Sequence, residues 1–306
     1  MKMFRRSPDV PSSAPDAAFP YWSSDQAQRF RAMVRAVLAE TGVEVTVYAD
    51  YAEDARNRQF GLGNLAAVCH NEGRDERAWR KIIEKHVQAI MSGMEQSPFQ
   101  TMLPSDIFAA TYLRLMPAED VRPNMSYARP VGPDLAEVFN LDLPETVAYF
   151  TDAHVASLGY DALREAGLSN LRAVPVDDHR TLERGGGTIE VLLGESMFTA
   201  SLLLVLEHVL DRYGLKADPG LGVFVGVPNR HQLDFHVAAD ARAIPSLNTL
   251  AAFTAAGYRD SAGVVSPSVY WWRPSGLRRI STLTPDGPRI EVDTELQSVL
   301  ETLTRR

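Results

Sequence analysis

The 306-residue chain has a single cysteine, Cys69, and that scarcity excludes an intramolecular disulfide framework and any zinc or iron–sulfur site built on several thiolates. A reducing compartment suits such a chain, so the cytosol is predicted. Long apolar runs are missing too. The longest, Leu202 to Leu206, is far short of the roughly 20 residues a membrane helix needs. Positive charge is in deficit: 31 Lys and Arg against 39 Asp and Glu give a formal net charge of -8. Without a cation excess, general nucleic-acid binding through phosphate contacts is excluded. The N-terminal MKMFRRSPDVPSSAPDAAFP begins basic, but Pro, Ser and Asp interrupt it where a signal peptide needs a continuous apolar core, so residues 1–20 read as a disordered leader.

What is present is ordinary globular material, 45% hydrophobic and 23% charged, enough for one large or two modest cores. Ser23 and Gln26 have capping-box spacing ahead of a stripe of Phe30, Met33, Val34, Val37 and Leu38, with Gly42 as the stop. VEVTVYA alternates as a strand, and a second short strand near RQFGLG is expected to pair with it. NLAAVCHNE and DERAWRKIIEKHVQAIMSGM read as helices, and FAATYLRLM as a strand ending at Pro117. Four prolines between Pro117 and Pro133 mark a linker. The expected division is therefore an N-terminal α+β lobe over 21–117, a linker over 118–133 and a C-terminal α+β lobe over 134–306.

The second lobe opens with strands in AEVFNLDL and ETVAYF and the helix YDALREAGLSNLRAV, while VDDHRTLERGGG reads as a polar loop. Strands follow in IEVLL, GVFVGV and QLDFHV, with a helix in SLNTLAAFTAAGY, a hairpin joining SVYWW to LRRIST, and a last helix TELQSVLETLTRR. Without strict β–α alternation or an internal repeat, the pattern predicts an α+β fold of mixed, mostly antiparallel sheets packed against helices.

Few residues offer chemistry. Strand, then Gly194-Glu195-Ser196, then helix is the order in which an α/β-hydrolase exposes its nucleophile, yet Phe198 stands where that elbow requires glycine. Ser196 reads better as a helix cap. Gly185-Gly186-Gly187 precede a strand, whereas a phosphate cradle precedes a helix. His231, Asp234 and His236 form the densest ligand-like cluster, but on a strand His231 points away from the face shared by Asp234 and His236, which reads as solvated. Cys69 reads as a buried structural thiol. The strip YWWRPSGLRR, residues 270–279, joins three aromatics to three arginines, as a surface that holds single-stranded nucleic acid or a protein hot spot does; the alternative is that its aromatics alternate into the core while its arginines solvate an edge.

The order of the segments ERAWRKIIEKHVQAIMSGM, YLRLMP, LPETVAYFTDAHVASLGYDAL, LSNLRAVP, FTASLLL, GVFVGVPNRHQLDF and PSVYWWRPSGLRR, over residues 40–282, resembles the YtpQ-like family of bacterial proteins, a domain of unknown function. The shared features include Asn170-Leu171-Arg172, Ala200-Ser201 and Val227-Pro228-Asn229-Arg230. The resemblance implies a cytosolic α+β protein and brings no assigned catalytic or cofactor-binding residue. The expected function is a non-catalytic binding or protein-interaction protein presenting Asn229, Arg230, Tyr270, Trp271, Trp272 and Arg273 to a partner, with no cofactor, metal or membrane. The alternatives are a hydrolase or small-ligand enzyme using Ser196 or the His231, Asp234, His236 cluster, and an immunity-type protein that occludes a toxin, which the acidic balance permits.

Overall fold

The computed structural model describes residues 14–305 apart from 56–58, 73–74, 96–97 and 144–145. These residues form an α+β fold in two compact units, Met1–Glu95 and Gln96–Arg306.

In the first unit, α1 (Ser24–Glu40) starts with the expected capping box: Ser23 Oγ accepts from the Gln26 amide at 3.3 Å, and Gln26 Oε1 accepts from the Ser23 amide at 3.1 Å. Strands β1 (Val45–Val47), β2 (Tyr51–Asp54) and β3 (Gln59–Gly61) make an antiparallel sheet in that order. The strand at RQFGLG thus pairs with β2 and not with β1, because a tight turn, in which the Tyr48 amide donates to the Tyr51 carbonyl, folds Tyr51–Asp54 between them. Helices α2 (Gly63–Glu72) and α3 (Glu76–Glu95) complete the unit. Their apolar faces meet α1 over Phe30, Val34, Leu65, Cys69, Trp79 and Ile83, and Cys69 is buried as predicted. Full burial of each large side chain contributes about 1.5–3 kcal/mol. Of the leader expected over 1–20, residues 14–20 belong to the folded unit. Residues 1–13 lie outside the described residues, but Pro15 bridges Ser23, and Phe19 is buried edge-to-face against Trp22 and Phe30.

The second unit begins with α4 (Pro98–Thr101) and α5 (Pro104–Ala109). Strands β4 (Thr111–Pro117), β5 (Arg129–Pro130), β6 (Leu135–Leu143) and β7 (Thr146–Tyr149) form an antiparallel sheet centred on β6, with β4 along one edge and β5 and β7 along the other. β4 pairs with β6 over its whole length, from Thr111 opposite Leu141 to Pro117 opposite Leu135. The two strands cannot belong to different lobes, so residues 118–133, which carry β5, lie inside the second unit and are no linker, and the division falls at Glu95–Gln96. Helices α6 (Asp152–Leu158) and α7 (Tyr160–Arg172) follow, and α7 lies so near β4 that a Cβ on Gly167 would sit 3.0 Å from the Leu113 nitrogen.

The larger sheet contains β8 (Asp178–Arg184), β9 (Gly187–Leu193), β10 (Val223–Gly226), β11 (Gln232–Val237), β12 (Val269–Arg273) and β13 (Gly276–Arg279), in the antiparallel order β13-β12-β10-β11-β9-β8. The segment expected as a polar loop is β8, an edge strand turned back on β9 by Gly185 and Gly186 at φ 57° and 79°, the left-handed backbone of a tight hairpin. One face is covered by a 3-10 helix, Ala200–Val205, and α8 (Leu206–Arg212), which bury Val225, Leu233, Phe235 and Tyr270. The other is covered by α9 (Ala243–Asp260) and α10 (Thr294–Thr304), which bury Val191, Phe224, Trp271 and Leu250. β14 (Ser281–Thr284) and β15 (Gly287–Ile290) pair as a separate ribbon. α9 lies close on β10: a Cβ on Gly226 would lie 2.0 Å from Thr254 Oγ1.

Candidate functional site

The aromatic and arginine strip is divided by this double cover. In a strand with one wet face, alternate side chains would point outward, but both faces of β12 are packed, so consecutive residues Tyr270 and Trp271 are both in the core at 0% and 1% exposure. Tyr270 Oη bonds Ser266 Oγ at 2.7 Å and donates to Asp134 Oδ1 at 2.8 Å; Trp271 Nε1 donates to the Leu221 carbonyl at 2.7 Å. Neither can meet a partner. The arginines are also engaged internally. Arg273 and Arg278 lie 4.1 and 4.8 Å from the Trp271 ring centre and pair with Glu295 and Asp293, at the start of α10. They fasten that helix to the hairpin and do not simply solvate an edge.

Trp272 is different. It is half-buried and lines a cleft of about 290 Å³ with Arg273, Pro274 and Leu277 on one side and Arg129, Glu137 and Arg164 on the other. Glu137, only 5% exposed, accepts from Arg164 Nε at 2.8 Å and Nη2 at 3.2 Å, and from Tyr160 Oη at 3.2 Å. Arg129 stacks over the Tyr160 ring at 3.9 Å and makes no ion pair among the described residues. The cleft therefore joins an apolar wall to one unanswered cation, which suits an apolar side chain next to a carboxylate. Arg129, Glu137 and Arg164 were invisible in the sequence because they come from a stretch expected as linker, a strand and a helix that only pairing with β6 assembles.

The Val227–Arg230 segment lies elsewhere. In the β10–β12 register Gly226 faces Val269 and Val223 faces Trp272, so Asn229 and Arg230 leave one end of the sheet and the hairpin tip the other. They do not form the single surface expected. Asn229 is 4% exposed and fully engaged: Nδ2 donates to Gln232 Oε1 and Ser261 Oγ, and Oδ1 accepts from the His231 amide. It holds a turn together. Two other resemblance positions are likewise internal fasteners, Asn170 donating to the Phe108 and Thr111 carbonyls and Ser201 Oγ accepting from the Leu115 amide at 2.9 Å.

Ser196 Oγ accepts from the amide of Phe198 at 3.2 Å, and its carbonyl accepts from Thr199. It stabilises the turn from β9 into the 3-10 helix, whereas the sequence predicts a cap on a continuous helix. Among the described residues no histidine bonds Ser196 Oγ, so no nucleophile–base pair is assembled.

The metal-like cluster does not converge. His231 Nδ1 bonds the Gly194 carbonyl at 3.1 Å while Nε2 accepts from Arg230 Nε at 2.9 Å, so both ring nitrogens are occupied. Burial, and then the Arg230 charge, lower its pKa and keep the ring neutral. His236 Nδ1 bonds the Thr188 carbonyl at 2.7 Å. Asp234, expected on a solvated face, is 0% exposed, because α9 covers that side of β11; Gln232 Nε2 donates to its two oxygens at 2.9 and 2.8 Å. Burial pushes its carboxyl up to about 8. No group of three or more His, Cys, Asp or Glu among the described residues is placed to hold a metal ion. Nor, among the described residues, is any helix long and apolar enough to cross a membrane.

No protein-family model, curated protein or solved structure matches the chain.

Proposed function

We propose that the chain is a non-catalytic, cytosolic binding protein whose cleft beside the β12–β13 hairpin receives a protein partner. The partner segment carries an apolar side chain that enters between Trp272 and Leu277, beside an Asp or Glu that meets Arg129. The observation that carries this reading is the pairing of that apolar wall with the one cleft arginine that no carboxylate among the described residues answers. Arg164 and Arg273 are already paired and serve as the rim. Tryptophan and arginine are the side chains that most often dominate protein interfaces energetically.

The test begins with affinity capture on the wild-type chain, followed by titration of each identified partner against wild type, Trp272→Ala and Arg129→Glu. The expected result is about tenfold or greater weakening by either substitution, corresponding to hot-spot residues. Unchanged Kd values for both variants overturn the reading.

A further inference from the structure

A second group of arginines lies where the turns at 194–199 and 228–231 pack against the four-stranded sheet. Arg114, on β4, donates from Nη1 to Tyr149 Oη at 2.8 Å, and Arg122 lies over the same ring at 4.8 Å. Arg230 spends Nε on His231, which leaves both its terminal nitrogens without a hydrogen-bond partner among the described residues. Arg230 is close enough to Arg114 and Tyr149 that both act on it electrostatically, and burial together with the Arg114 charge lowers its pKa. None of the three arginines makes an ion pair with a carboxylate among the described residues; Asp120, on the 3-10 turn at Ala118–Asp120, is within electrostatic reach of Arg114 and Arg122 without bonding either.

Two buried polar groups of the same sheet point to what the arginines serve. Asn140 is 0% exposed, yet among the described residues neither its Nδ2 nor its Oδ1 has a partner, and Arg114 Nε is buried and unpartnered as well. Asn140 stands opposite Tyr112 on β4 and Tyr149 on β7, so the three side chains leave the same face of the sheet. Arg114, two residues from Tyr112, leaves that face too. Buried amides without partners are rare, since each costs the desolvation of its dipole.

We propose that this junction is an oxyanion site that takes a phosphate group, with the Arg230 and Arg114 guanidiniums as the principal donors, Asn140 Nδ2 as a neutral donor and Arg122 at the exposed mouth. Planar guanidinium forks match the tetrahedral oxygens of phosphate, and three cations suit its dianion better than a monocarboxylate. The site is separate from the hairpin cleft, and it stands or falls independently of the partner proposed there.

The probe is inorganic phosphate, titrated calorimetrically and by thermal unfolding into the full chain, with sodium chloride holding ionic strength constant and sodium acetate in a parallel series. Wild type is expected to bind phosphate saturably and to gain Tm beyond both controls. Arg230→Gln and Arg114→Gln weaken binding at least about tenfold, while Arg289→Gln, on the exposed β15 ribbon, leaves it unchanged. Asn140→Asp gives an opposite signature that decides the matter if the arginine variants fail to fold: an internal carboxylate answers the cations, so Tm rises without phosphate and phosphate no longer raises it. The proposal is overturned if phosphate acts no more strongly than chloride or acetate, if Arg230→Gln retains the response, or if Asn140→Asp lowers Tm and still responds.

Discussion

At the hairpin cleft two of three arginines find carboxylates, whereas at the sheet junction three arginines find none among the described residues. Arg164 lies against Glu137 and Arg273 against Glu295; Arg114, Arg122 and Arg230 share only a tyrosine and a neutral histidine. An answered arginine is a structural clamp, and its removal exposes the carboxylate it held. An unanswered one is a standing cost that folding alone does not justify, and it directs attention to a ligand. Position in the fold decides which is which: Arg164 and Arg273 meet acids on β6 and at the start of α10, while the junction arginines come from three separate segments, with Asp120 in electrostatic reach of two of them but in an ion pair with none.

The largest test of this contrast concerns an acid that no cation answers. Asp234 has its carboxyl pushed up to about 8 by burial, against an ordinary value of 3.8. The folded chain therefore holds a proton that the unfolded chain releases. Its stabilising effect is complete below pH 3.8 and is lost as pH rises through about 8. Wild type should lose about 3–4 kcal/mol of unfolding free energy from this group between roughly pH 5 and 9, and Asp234→Asn should flatten that slope in denaturant titrations. A slope of equal size in the variant would show that the carboxyl ionises freely in place.

Next comes the clamp at the cleft. Glu137→Gln leaves Arg164 half-covered without its counter-ion and should lower stability by about 1–2 kcal/mol, less than for a fully buried pair because Arg164 reaches solvent. Equal stability of variant and wild type in urea melts would erase the distinction drawn between clamp and ligand arginines. Arg230→Gln should move the other way, leaving stability within about 1 kcal/mol of wild type or raising it in phosphate-free buffer, as removal of an unanswered cation allows. A marked loss there would make Arg230 a structural residue. Smallest is Arg80→Gln, which breaks exposed pairs to Glu40 and Glu84 and should leave the thermal midpoint in place, at low and at high salt.

Local signals in the sequence were reliable where the physics is local. The Ser23–Gln26 capping box, the strand at Gln232–Val237 and the hairpin around Pro274 and Ser275 each follow from neighbours a few residues apart, and each is present. β8 was illegible for a physical reason: an edge strand of exposed polar residues, DHRTLER, has no apolar face to give it a period, and its identity comes from pairing with β9. The burial of Tyr270 together with Trp271, and of Asp234, depends on helices far along the chain that cover both faces of one sheet. The junction arginines were the least legible, since nothing in the surroundings of Arg114 or Arg230 foretells that β4 and the turn after β10 will meet.

Gly226 adds a consequence for assembly. With Thr254 Oγ1 2.0 Å from where its Cβ would stand, β10 carries a notch into which α9 seats, and Gly187 on β9 makes a second one, 2.4 Å from the Pro245 carbonyl oxygen. A side chain at either place would lift the helix off the sheet. The missing side chains thus act as keyways: they let helix and sheet close, and so set the depth at which Asp234 is sealed.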